Sequence, residues 1–404
     1  MTMPLDGIRV LDWTIWQQGP VCSVMLGDLG ADVIKIEERV GGDPGRGMMR
    51  ANGIDLSDRP NFYFEANNRN KRGITVDLKK PEGVAIVQRL AETADVFVQN
   101  FRKGVADRLG LGASTLCARN PRLVYASATG YGPNGAESAE PSFDHLGLAR
   151  SGIMLAAGEP DMPPLGISGG IADQMGGVML AWGVMTALFA RERSGLGQEV
   201  NASHLGSMLF LQGLSVSMKL MAGVAMPRSF RARAMNPLWN HYRCQDGKWL
   251  ALAMLQSDRY WPDVARVIGR PELATDPRFR DLRVRAANAA ECVAILDAAF
   301  ASRPRADWLR ILAEDSGDYI YTIVNSVDDL PDDPQVRAND YVVTIDHPQH
   351  GPTRMVGVPV ALSETPGSVR SPAPELGQHT EEVLLDVLGW DWDRISALRE
   401  KGVI

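Results

Sequence analysis

The feature that most constrains the fold is an alternation of strand-like and helix-like segments in the first hundred residues. Pro20 and Pro81 each stand where a helix would begin, because the first helical turn tolerates a residue without an N–H. Strands alternating with helices indicate a parallel sheet with a ligand crevice at the carboxyl ends of its strands. The apolar runs that we interpret as its first buried strands are Ile8–Leu11, Asp32–Glu37, Gly73–Leu78 and Ala94–Gln99.

The rest of the chain predicts a second, differently built domain. A further strand at Leu123–Ala126, an apolar helix over 172–193, a strand at Gln198–Ala202 and a helix from Ser203 to about Met221 continue the first pattern. An arginine-rich connection follows, and the Asp246-Gly247 dipeptide then predicts a β-hairpin. The fold class is therefore α/β, with a large domain over 1–225, a smaller α+β domain over 226–325 and a C-terminal return over 326–404.

The later segments give more local expectations. Helices are predicted over 258–268, 284–301 and 305–314, a loop over 328–335, a short β segment near 341–360, and C-terminal helices from Thr380 onward. The residue types in these segments suggest no chemistry of their own.

Composition excludes several classes of function. The net charge of −7 argues against non-specific binding to nucleic acid or to an anionic membrane. The longest uncharged stretch, Met175–Ala190, is shorter than the roughly 18–20 apolar residues that span a bilayer, so it predicts a core helix. The four cysteines have no CxxC spacing and the six histidines form no HExxH motif, so no metal site is expected. Reduced thiols and the absence of a signal-peptide pattern favour the cytoplasm.

Three common ligand motifs are missing where the fold would require them. The first strand-to-helix turn, Trp13–Pro20, lacks the GxGxxG pattern of dinucleotide sites. No Walker motif and no GxSxG motif occur, which disfavours NAD, ATP and serine-hydrolase chemistry.

Asp173 is the most unusual acid in the sequence, since glycines flank it at the start of an apolar helix: Gly169, Gly170, Gly176 and Gly177. One interpretation is an ordinary helix cap, because a carboxylate satisfies free N–H groups there. The other is a nucleophile, because a helix N-terminus keeps a carboxylate ionised and carboxylates do form covalent intermediates. The segment alone leaves both open.

Seven stretches in order resemble the class III, formyl-CoA transferase-like CoA-transferase family along almost the whole chain. They are PLDGIRVLDWT, GDLGADVIKIE, NKRGITVDLKKPEG, ADVFVQNFRKGVADRLGLG, NPRLVYASATGYG, ADQMGG and PELGQHTEEVLLDVLG. The series is specific, although each piece alone would be weak. The resemblance implies a Rossmann-like, CoA-binding large domain built from both chain ends, and two interlocked subunits, each threaded through the ring of the other.

The resemblance also assigns site residues. The catalytic nucleophile falls on Asp173, which favours the second interpretation of that acid. Without the resemblance, the arginines would be interpreted as a solvated surface and Asn100–Phe101 as the packed end of a strand. The implied CoA-binding residues are Gln17, Gln18, Arg39, Val76, Asp77, Leu78, Lys79, Asn100, Phe101, Arg102 and Arg108.

Two departures from the family pattern refine the expected activity. The glycine run of oxalate-using members is absent, and Asn236–Gly247 occupies its neighbourhood, which favours an acceptor acid larger than formate or oxalate. Related racemases have a catalytic histidine at the place of Phe143, which has no proton to exchange. We therefore count Phe143 among the binding residues, and interpret the adjacent His145 as a packed histidine.

The resemblance implies transfer of CoA from an acyl-CoA thioester to a free carboxylic acid through an aspartyl-CoA thioester. Succinyl-CoA is the suggested donor, and an aromatic or branched acid such as benzylsuccinate a suggested acceptor. CoA is a cosubstrate, with no permanently bound cofactor and no metal, and a homodimer is expected, with a heteromer left open. The alternatives are a 2-methylacyl-CoA racemase or epimerase, and a subunit of a heteromeric transferase such as a benzylsuccinate-type enzyme. The presence of Asp173 argues against a purely structural subunit, because such a subunit would not need this acid.

Overall fold

The computed structural model describes residues 2–51 and 53–404. The strands of this part of the chain, numbered in order, are β1 Arg9–Trp13, β2 Asp32–Glu37, β3 Arg50–Ala51, β4 Ile54–Asp55, β5 Lys71–Thr75, β6 Val96–Gln99, β7 Val124–Thr129, β8 Glu199–Ser203, β9 Trp239–Arg243, β10 Trp249–Ala253, β11 Tyr321–Val324, β12 Val342–His347 and β13 Gly351–Val356.

The α-helices are numbered in the same way. They are α1 Gln18–Asp28, α2 Phe62–Asn68, α3 Pro81–Ala91, α4 Val105–Arg108, α5 Ala113–Arg119, α6 Asp144–Ser151, α7 Ile153–Ala156, α8 Ile171–Ser194, α9 His204–Leu211, α10 Gly213–Ala222, α11 Ser257–Val267, α12 Leu282–Ala287, α13 Ala289–Phe300, α14 Arg305–Glu314, α15 Pro334–Ala338, α16 Thr380–Asp386 and α17 Trp392–Glu400.

A six-stranded sheet in the order β5-β2-β1-β6-β7-β8 forms the framework of the fold. Every neighbouring pair in it is parallel, and Val10 of β1 lies opposite Val33 of β2 and Val96 of β6. Successive side chains of a strand point to opposite faces, so both faces of this apolar sheet must be covered. The predicted α/β class with a parallel sheet is confirmed.

Helices cover the two faces of the sheet. Leu11 and Phe97 belong to a core shared with α3, α5 and the C-terminal helices α16 and α17. Val10 and Val96 belong to a second core, shared with α1 and α8. The C-terminal segment therefore completes the layer that begins with α3, and α8 anchors the opposite layer.

The chain divides into two compact units. The first consists of residues 1–154, 166–225 and 335–404, and the second of 155–165 and 226–334. The second unit contains the antiparallel sheet β11-β10-β9 and helices α11 to α14 around its own apolar core. These units differ from the predicted boundaries in taking in 155–165 and in ending at 334, and the predicted domain limits stay a prediction.

Several predicted helix boundaries were wrong for identifiable reasons. The predicted helix from Ser203 to Met221 is two helices, α9 and α10, bent by 79°. The break falls at Gln212, whose side-chain amide donates to the carbonyl of Ser151, and Gly213 has weak helix propensity. Helix α1 begins at Gln18, two residues before Pro20. Pro20 fits inside the first turn because the N–H groups of that turn have no hydrogen-bond partner within the helix.

Smaller differences occur elsewhere. The predicted helix 284–301 is divided into α12 and α13 at Asn288, whose amide donates to the carbonyl of Val284. The predicted loop 328–335 contains a 3₁₀ turn at Leu330–Asp332 and the start of α15. Strand β5 ends at Thr75 rather than Leu78, because Asp77 donates its backbone N–H to Val403 instead of to a neighbouring strand.

Helix α8 is the long apolar helix of the described chain. By length and composition alone it could span a membrane, and so could the bent pair of α9 and α10. Leu180 and Val184 of α8 are fully buried against the sheet. Such burial is typical of a core helix in a globular protein, which can be as long and as apolar as a membrane-spanning helix. This packing places the first turn of α8 beside the carboxyl ends of the strands.

Candidate active site

A cavity of about 380 Å³ lies at the carboxyl ends of the parallel strands. Trp16 follows β1, Asn100 follows β6, Gly130 follows β7 and His204 follows β8, and all four line the cavity. Asp173, in the first turn of α8, lines it as well. The crevice is therefore where a parallel sheet predicts one.

The carboxylate of Asp173 does not cap its own helix. The backbone N–H groups of Ala172 and Asp173 donate to Oδ1 of Asp144, at 2.6 and 3.3 Å. Gly170 is the N-cap residue, in a left-handed conformation with φ of +68° and no side chain to contribute. Because Asp144 does the capping, the side chain of Asp173 is free for another role at the positive end of the helix dipole.

Asp173 is instead part of a short hydrogen-bonded chain. Its Oδ1 lies 2.7 Å from Nε2 of His204, and Nδ1 of His204 lies 3.1 Å from Oγ of Ser142. The side chain of Asp173 is 15% exposed and that of His204 is 3% exposed. The carboxylate thus faces the cavity while its partner is held in the wall.

The turn after β1 is held by buried charges. Nζ of Lys35 donates to the carbonyl of Thr14 and to Oδ2 of Asp43, while Oδ1 of Asp43 accepts from the N–H of Trp16. Trp16 needs this support, because its φ of +64° is unfavourable for a residue with a side chain.

Asn100 holds the same turn from the other side. Its side chain accepts from the backbone N–H of Ile15 at 2.9 Å and donates to the carbonyl of Ile15 at 2.7 Å. An asparagine amide offers both groups needed to pair with a peptide unit in this way. Asn100 therefore fixes the position of the residues that precede Gln17 and Gln18.

Beneath the turn, Asp12 accepts from Nζ of Lys71 at 2.8 Å, and both side chains are fully buried. Burial alone would raise the pKa of Asp12, but the ammonium groups of Lys71 and Lys35 outweigh it and lower the pKa to about 2. Burial lowers the pKa of Lys71 to about 8, against the opposing effect of Asp12. The turn therefore rests on an ionised network inside the protein.

Gln17 and Gln18 lie on either side of the glycines of α8. The amide of Gln17 is 3.4 Å from the carbonyl of Gly170, and the amide of Gln18 donates to the carbonyl of Thr129 at 3.1 Å. Gln18 lines the cavity, and Gly176 lets it approach the helix. The structure thus places Gln18 in the cavity with Asp173, and Gln17 at the start of the helix that carries Asp173.

The exposed charged side chains that line the cavity are two cations, Arg102 and Lys103, and one acid, Glu140. Nζ of Lys103 donates to the carbonyl of Pro133 and to Ser138. Phe101 lines the cavity as well and packs against Trp13 in a tilted arrangement, with 4.2 Å between ring centroids. Cations beside an apolar wall suit a ligand that combines negative charge with a long, partly apolar arm.

Aromatic rings approach the cavity near Asp173. Phe143 is 57% exposed and packs edge-on against Trp16, which also contacts Tyr63. Burial and the charge of Asp173 raise the pKa of Tyr63, so this phenol stays protonated.

Seven of the residues assigned by resemblance are not among those that line this cavity: Gln17, Arg39, Val76, Asp77, Leu78, Lys79 and Arg108. Most of them gather at the C-terminus, where the Asp77 N–H donates to Val403 and a Cβ added to Gly402 would lie 3.5 Å from Nη2 of Arg39. Arg108 is close to Gly104, two residues from Arg102. The structure therefore brings the predicted residues into two groups, and their roles stay predictions.

Sequence reasoning missed His204, Ser142 and Asp144. A histidine that begins an apolar helix matches no motif, and Ser142 and Asp144 lie about sixty residues before it in the chain. The available signal was that His204 lies two residues after the strand predicted to end at Ala202, where crevice residues of a parallel sheet occur. Within 2–51 and 53–404, no group of three or more potential metal ligands is present.

Comparison with known proteins gives the family. Residues 5–380 match the model of CoA-transferase family III. The chain is 36% identical to the succinyl-CoA–L-malate CoA-transferase beta subunit of Chloroflexus aurantiacus, covering 100% of this chain and 98% of the relative. It is 34% identical to the succinyl-CoA–D-citramalate CoA-transferase of the same organism, covering 99% and 98%.

A solved structure agrees with these relatives. A CAIB/BAIF family protein from Brucella suis superposes with a TM-score of 0.84 at 30% identity, covering 96% of this chain and 100% of that chain. The family match spans both ends of the parallel-sheet unit and includes every residue described around the cavity. The chain belongs to CoA-transferase family III and is a class III CoA-transferase.

Proposed function

We propose that this enzyme moves CoA from succinyl-CoA to a substituted succinic acid, with Asp173 as the covalent nucleophile. The observation that carries the proposal is a carboxylate that faces a cavity at a helix N-terminus whose capping is performed by Asp144. A carboxylate in that position stays ionised and available to attack an activated carbonyl.

The reaction divides into two exchanges at Asp173. The carboxylate attacks the carbonyl of the donor thioester, expels CoA as a thiolate and becomes a mixed anhydride. The thiolate then attacks the aspartyl carbonyl and releases the donor acid, leaving aspartyl-CoA. The acceptor carboxylate reverses both steps, so that the acceptor leaves as its CoA thioester and Asp173 is restored. These steps are balanced without redox chemistry or nucleotide hydrolysis.

The substrates are proposed from the relatives' names and the residues. Both relatives are named for succinyl-CoA, and L-malate and citramalate are succinic acids with substituents on the chain. Benzylsuccinate, suggested by the sequence, belongs to the same chemical class. The aromatic side chains of Trp16 and Phe143 beside Asp173 offer an apolar surface to such a substituent.

CoA binding is proposed for two groups of residues. The inner group comprises Gln18, Asn100, Phe101 and Arg102, which line the cavity, and Gln17, which lies beside Gly170. Phe143 provides part of the opposite wall. The outer group, nearer the adenosine and its phosphates, comprises Arg39, Val76, Asp77, Leu78, Lys79 and Arg108. We propose CoA as a cosubstrate, with no permanently bound cofactor.

We further propose an interlocked homodimer, working in the cytoplasm. Helices α9 and α10 expose large apolar side chains, among them Phe210 at 68% and Leu214 at 80%, and monomers rarely expose such a patch. A second copy of the chain would cover it. A heteromer is the alternative, favoured by the relative that is named as a beta subunit.

Transfer assays with substituted variants test the function. Purified enzyme is incubated with succinyl-CoA and each of a panel of acids (malate, citramalate, benzylsuccinate, oxalate), and the CoA products are identified by mass. We expect product from at least one substituted succinate, and a fall of several orders of magnitude in Asp173→Asn, which lacks the attacking oxygen.

Asp144→Asn is the matched control. Asparagine caps a helix nearly as well as aspartate, so this variant should slow turnover far less than Asp173→Asn while melting at a similar temperature. No transfer to any acid by the purified chain alone would contradict the homodimeric form of the proposal and favour a heteromer. Equal activity of Asp173→Asn and wild type would contradict the nucleophile.

A further inference from the structure

The wall of the cavity holds an imidazole directly against the carboxylate of Asp173. His204 begins α9 immediately after β8, and Ser203 caps the helix by accepting from the N–H of Gly206. A Cβ added to Gly147 would lie 2.8 Å from Cβ of His204, so α6 packs closely against the histidine. With its side chain 3% exposed, the ring has little freedom to turn away from Asp173.

The carboxylate fixes the direction of the hydrogen bond between His204 and Asp173, and a neutral ring then sets the direction of the one between His204 and Ser142. An ionised carboxylate can only accept, so Nε2 of His204 donates to Oδ1 of Asp173 across 2.7 Å. In the neutral ring with its proton on Nε2, Nδ1 is an acceptor, and the hydroxyl of Ser142 donates to it across 3.1 Å. Both hydrogen bonds are therefore satisfied in the tautomer in which the donor of His204 points at Asp173.

This contact makes the two oxygens of Asp173 unequal. Oδ1 accepts from His204, whereas no described residue donates a hydrogen bond to Oδ2. Oδ2 is the better nucleophile, because its lone pairs are not engaged by a donor. When Oδ2 forms the new bond, Oδ1 becomes the carbonyl oxygen of the aspartyl group and remains beside Nε2.

We propose that His204 is a catalytic residue whose Nε2–H stabilises the negative charge on Oδ1 whenever the aspartyl carbonyl carbon is attacked. The inference rests on the proposed covalent route through Asp173. It assigns the oxyanion donor to a side chain, rather than only to backbone N–H groups near Gly169–Gly170 or Gln17–Gln18.

The electrons can be followed through each step. The CoA thiolate adds to Cγ of the mixed anhydride and the carbonyl electron pair moves onto Oδ1. The pair then returns and the bond from Cγ to Oδ2 breaks, so the donor acid leaves with that oxygen. In the second half, the acceptor carboxylate adds to Cγ of aspartyl-CoA, Oδ1 takes the charge again, and the CoA thiolate leaves. His204 donates in both events and transfers no proton.

Two amide substitutions separate the ring nitrogens of His204. Glutamine places its amide nitrogen near the position of Nε2, facing Asp173, whereas asparagine places its amide near Nδ1, facing Ser142. Both variants are polar and of related size, and therefore serve as matched controls for folding. Only His204→Gln retains a donor toward Oδ1.

The test reads the aspartyl carbonyl directly. Wild type and both variants are loaded with succinyl-CoA, freed of excess donor, and treated with hydroxylamine, a small nucleophile that attacks Cγ without using the acceptor site. The rate of loss of the CoA adduct is followed by intact mass. The same adducts after denaturation give the reference rate, which should be equal in all three proteins.

We expect native His204→Asn to react about 10²–10³-fold more slowly than wild type, the usual effect of losing one oxyanion donor, and His204→Gln to stay within about tenfold. Equal native rates in wild type and His204→Asn, or equal losses in both variants, would overturn the role of His204. If no adduct forms in wild type, the proposed function fails instead, so the two failures are distinguishable.

Discussion

Asp173 and Asp144 divide two tasks that a single carboxylate would otherwise perform at the start of α8. Asp144 accepts hydrogen bonds from backbone N–H groups in the first turn of the helix, and the side chain of Asp173 faces the cavity. The cap interpretation of Asp173, which the sequence left open beside catalysis, requires a bond from its side chain to its own helix. Its side chain is hydrogen-bonded to His204 instead.

The Gly170 position tests how closely Gln17 must approach α8. A Cβ there would lie 2.1 Å from Oε1 of Gln17, and the φ of +68° is strained for alanine. Gly169→Ala is the matched control, because its φ of +102° is also strained but a Cβ would meet nothing within 4 Å. Each alanine should cost about 1–3 kcal/mol of stability through backbone strain.

Activity is expected to separate the two glycine variants. Gly170→Ala must also displace Gln17 from the start of α8, so its kcat/KM should fall well below that of Gly169→Ala when both are measured well under their melting temperatures. Equal kcat/KM values for the two variants would show that the position of Gln17 does not matter.

The racemase alternative is tested by proton exchange. A two-base exchange requires the substrate carbon to lie between its bases, but His204 and Asp173 are hydrogen-bonded to each other at 2.7 Å. Phe143 has no proton to supply from its side of the cavity. We expect no deuterium uptake from D₂O into a 2-methylacyl-CoA; rapid uptake, measured by NMR, would revive the racemase.

At the scale of elements, the geometry of the site depends on the turn that follows β1 and on the buried charges that support it. The Asp12–Lys71 pair lies under the turn that carries Trp16, and Lys35 connects that turn to Asp43. All of these charges are buried, so removing one anion leaves a cation without its partner in the interior.

Asp12→Asn should therefore destabilise the fold strongly. We expect a loss of about 3–5 kcal/mol in the free energy of unfolding, because Lys71 and Lys35 lose the anion that stabilises them. Asp32→Asn is the control, since Asp32 pairs with Arg9 and Arg72 while its side chain is 32% exposed. Urea unfolding should show a change of at most about 1 kcal/mol for Asp32→Asn; equal losses in both variants would contradict the account.

The strands and helices could be predicted from the sequence more accurately than the positions at which a helix is interrupted. Strand β2 has the bounds predicted for it, because the apolar run within Asp32–Glu37 can be recognised from the local sequence. At the bend between α9 and α10, the side-chain amide of Gln212 donates to the carbonyl of Ser151, some sixty residues away. A contact over that distance in the chain cannot be predicted from a local sequence pattern.

Prediction of the site residues from the sequence has the same limit, because contacts between distant residues are not visible in a local pattern. Asp173 was found because glycines flank it and because its segment resembles a family motif. His204 was missed because its significance comes only from the place where the fold brings it, beside a carboxylate 31 residues earlier in the chain. Local chemistry can nominate a nucleophile, whereas the groups that support it depend on tertiary packing.

At the scale of the whole molecule, the exposed apolar face of α9 and α10 predicts self-association. Leu220 and Met221 are 78% and 88% exposed, a state that water disfavours for adjacent large side chains. Light scattering should give twice the mass of one chain, independent of concentration in the micromolar range. A stable monomer across that range would contradict the homodimer.

The central claim, a covalent bond between CoA and Asp173, is tested most directly by the mass of the protein itself. Wild type incubated with succinyl-CoA should gain the mass of CoA, and hydroxylamine should convert the adduct to a hydroxamate that peptide mapping places on Asp173. Asp173→Asn should melt normally and gain no mass. An Asp173→Asn protein that folds, carries the same adduct and still transfers CoA would contradict the account.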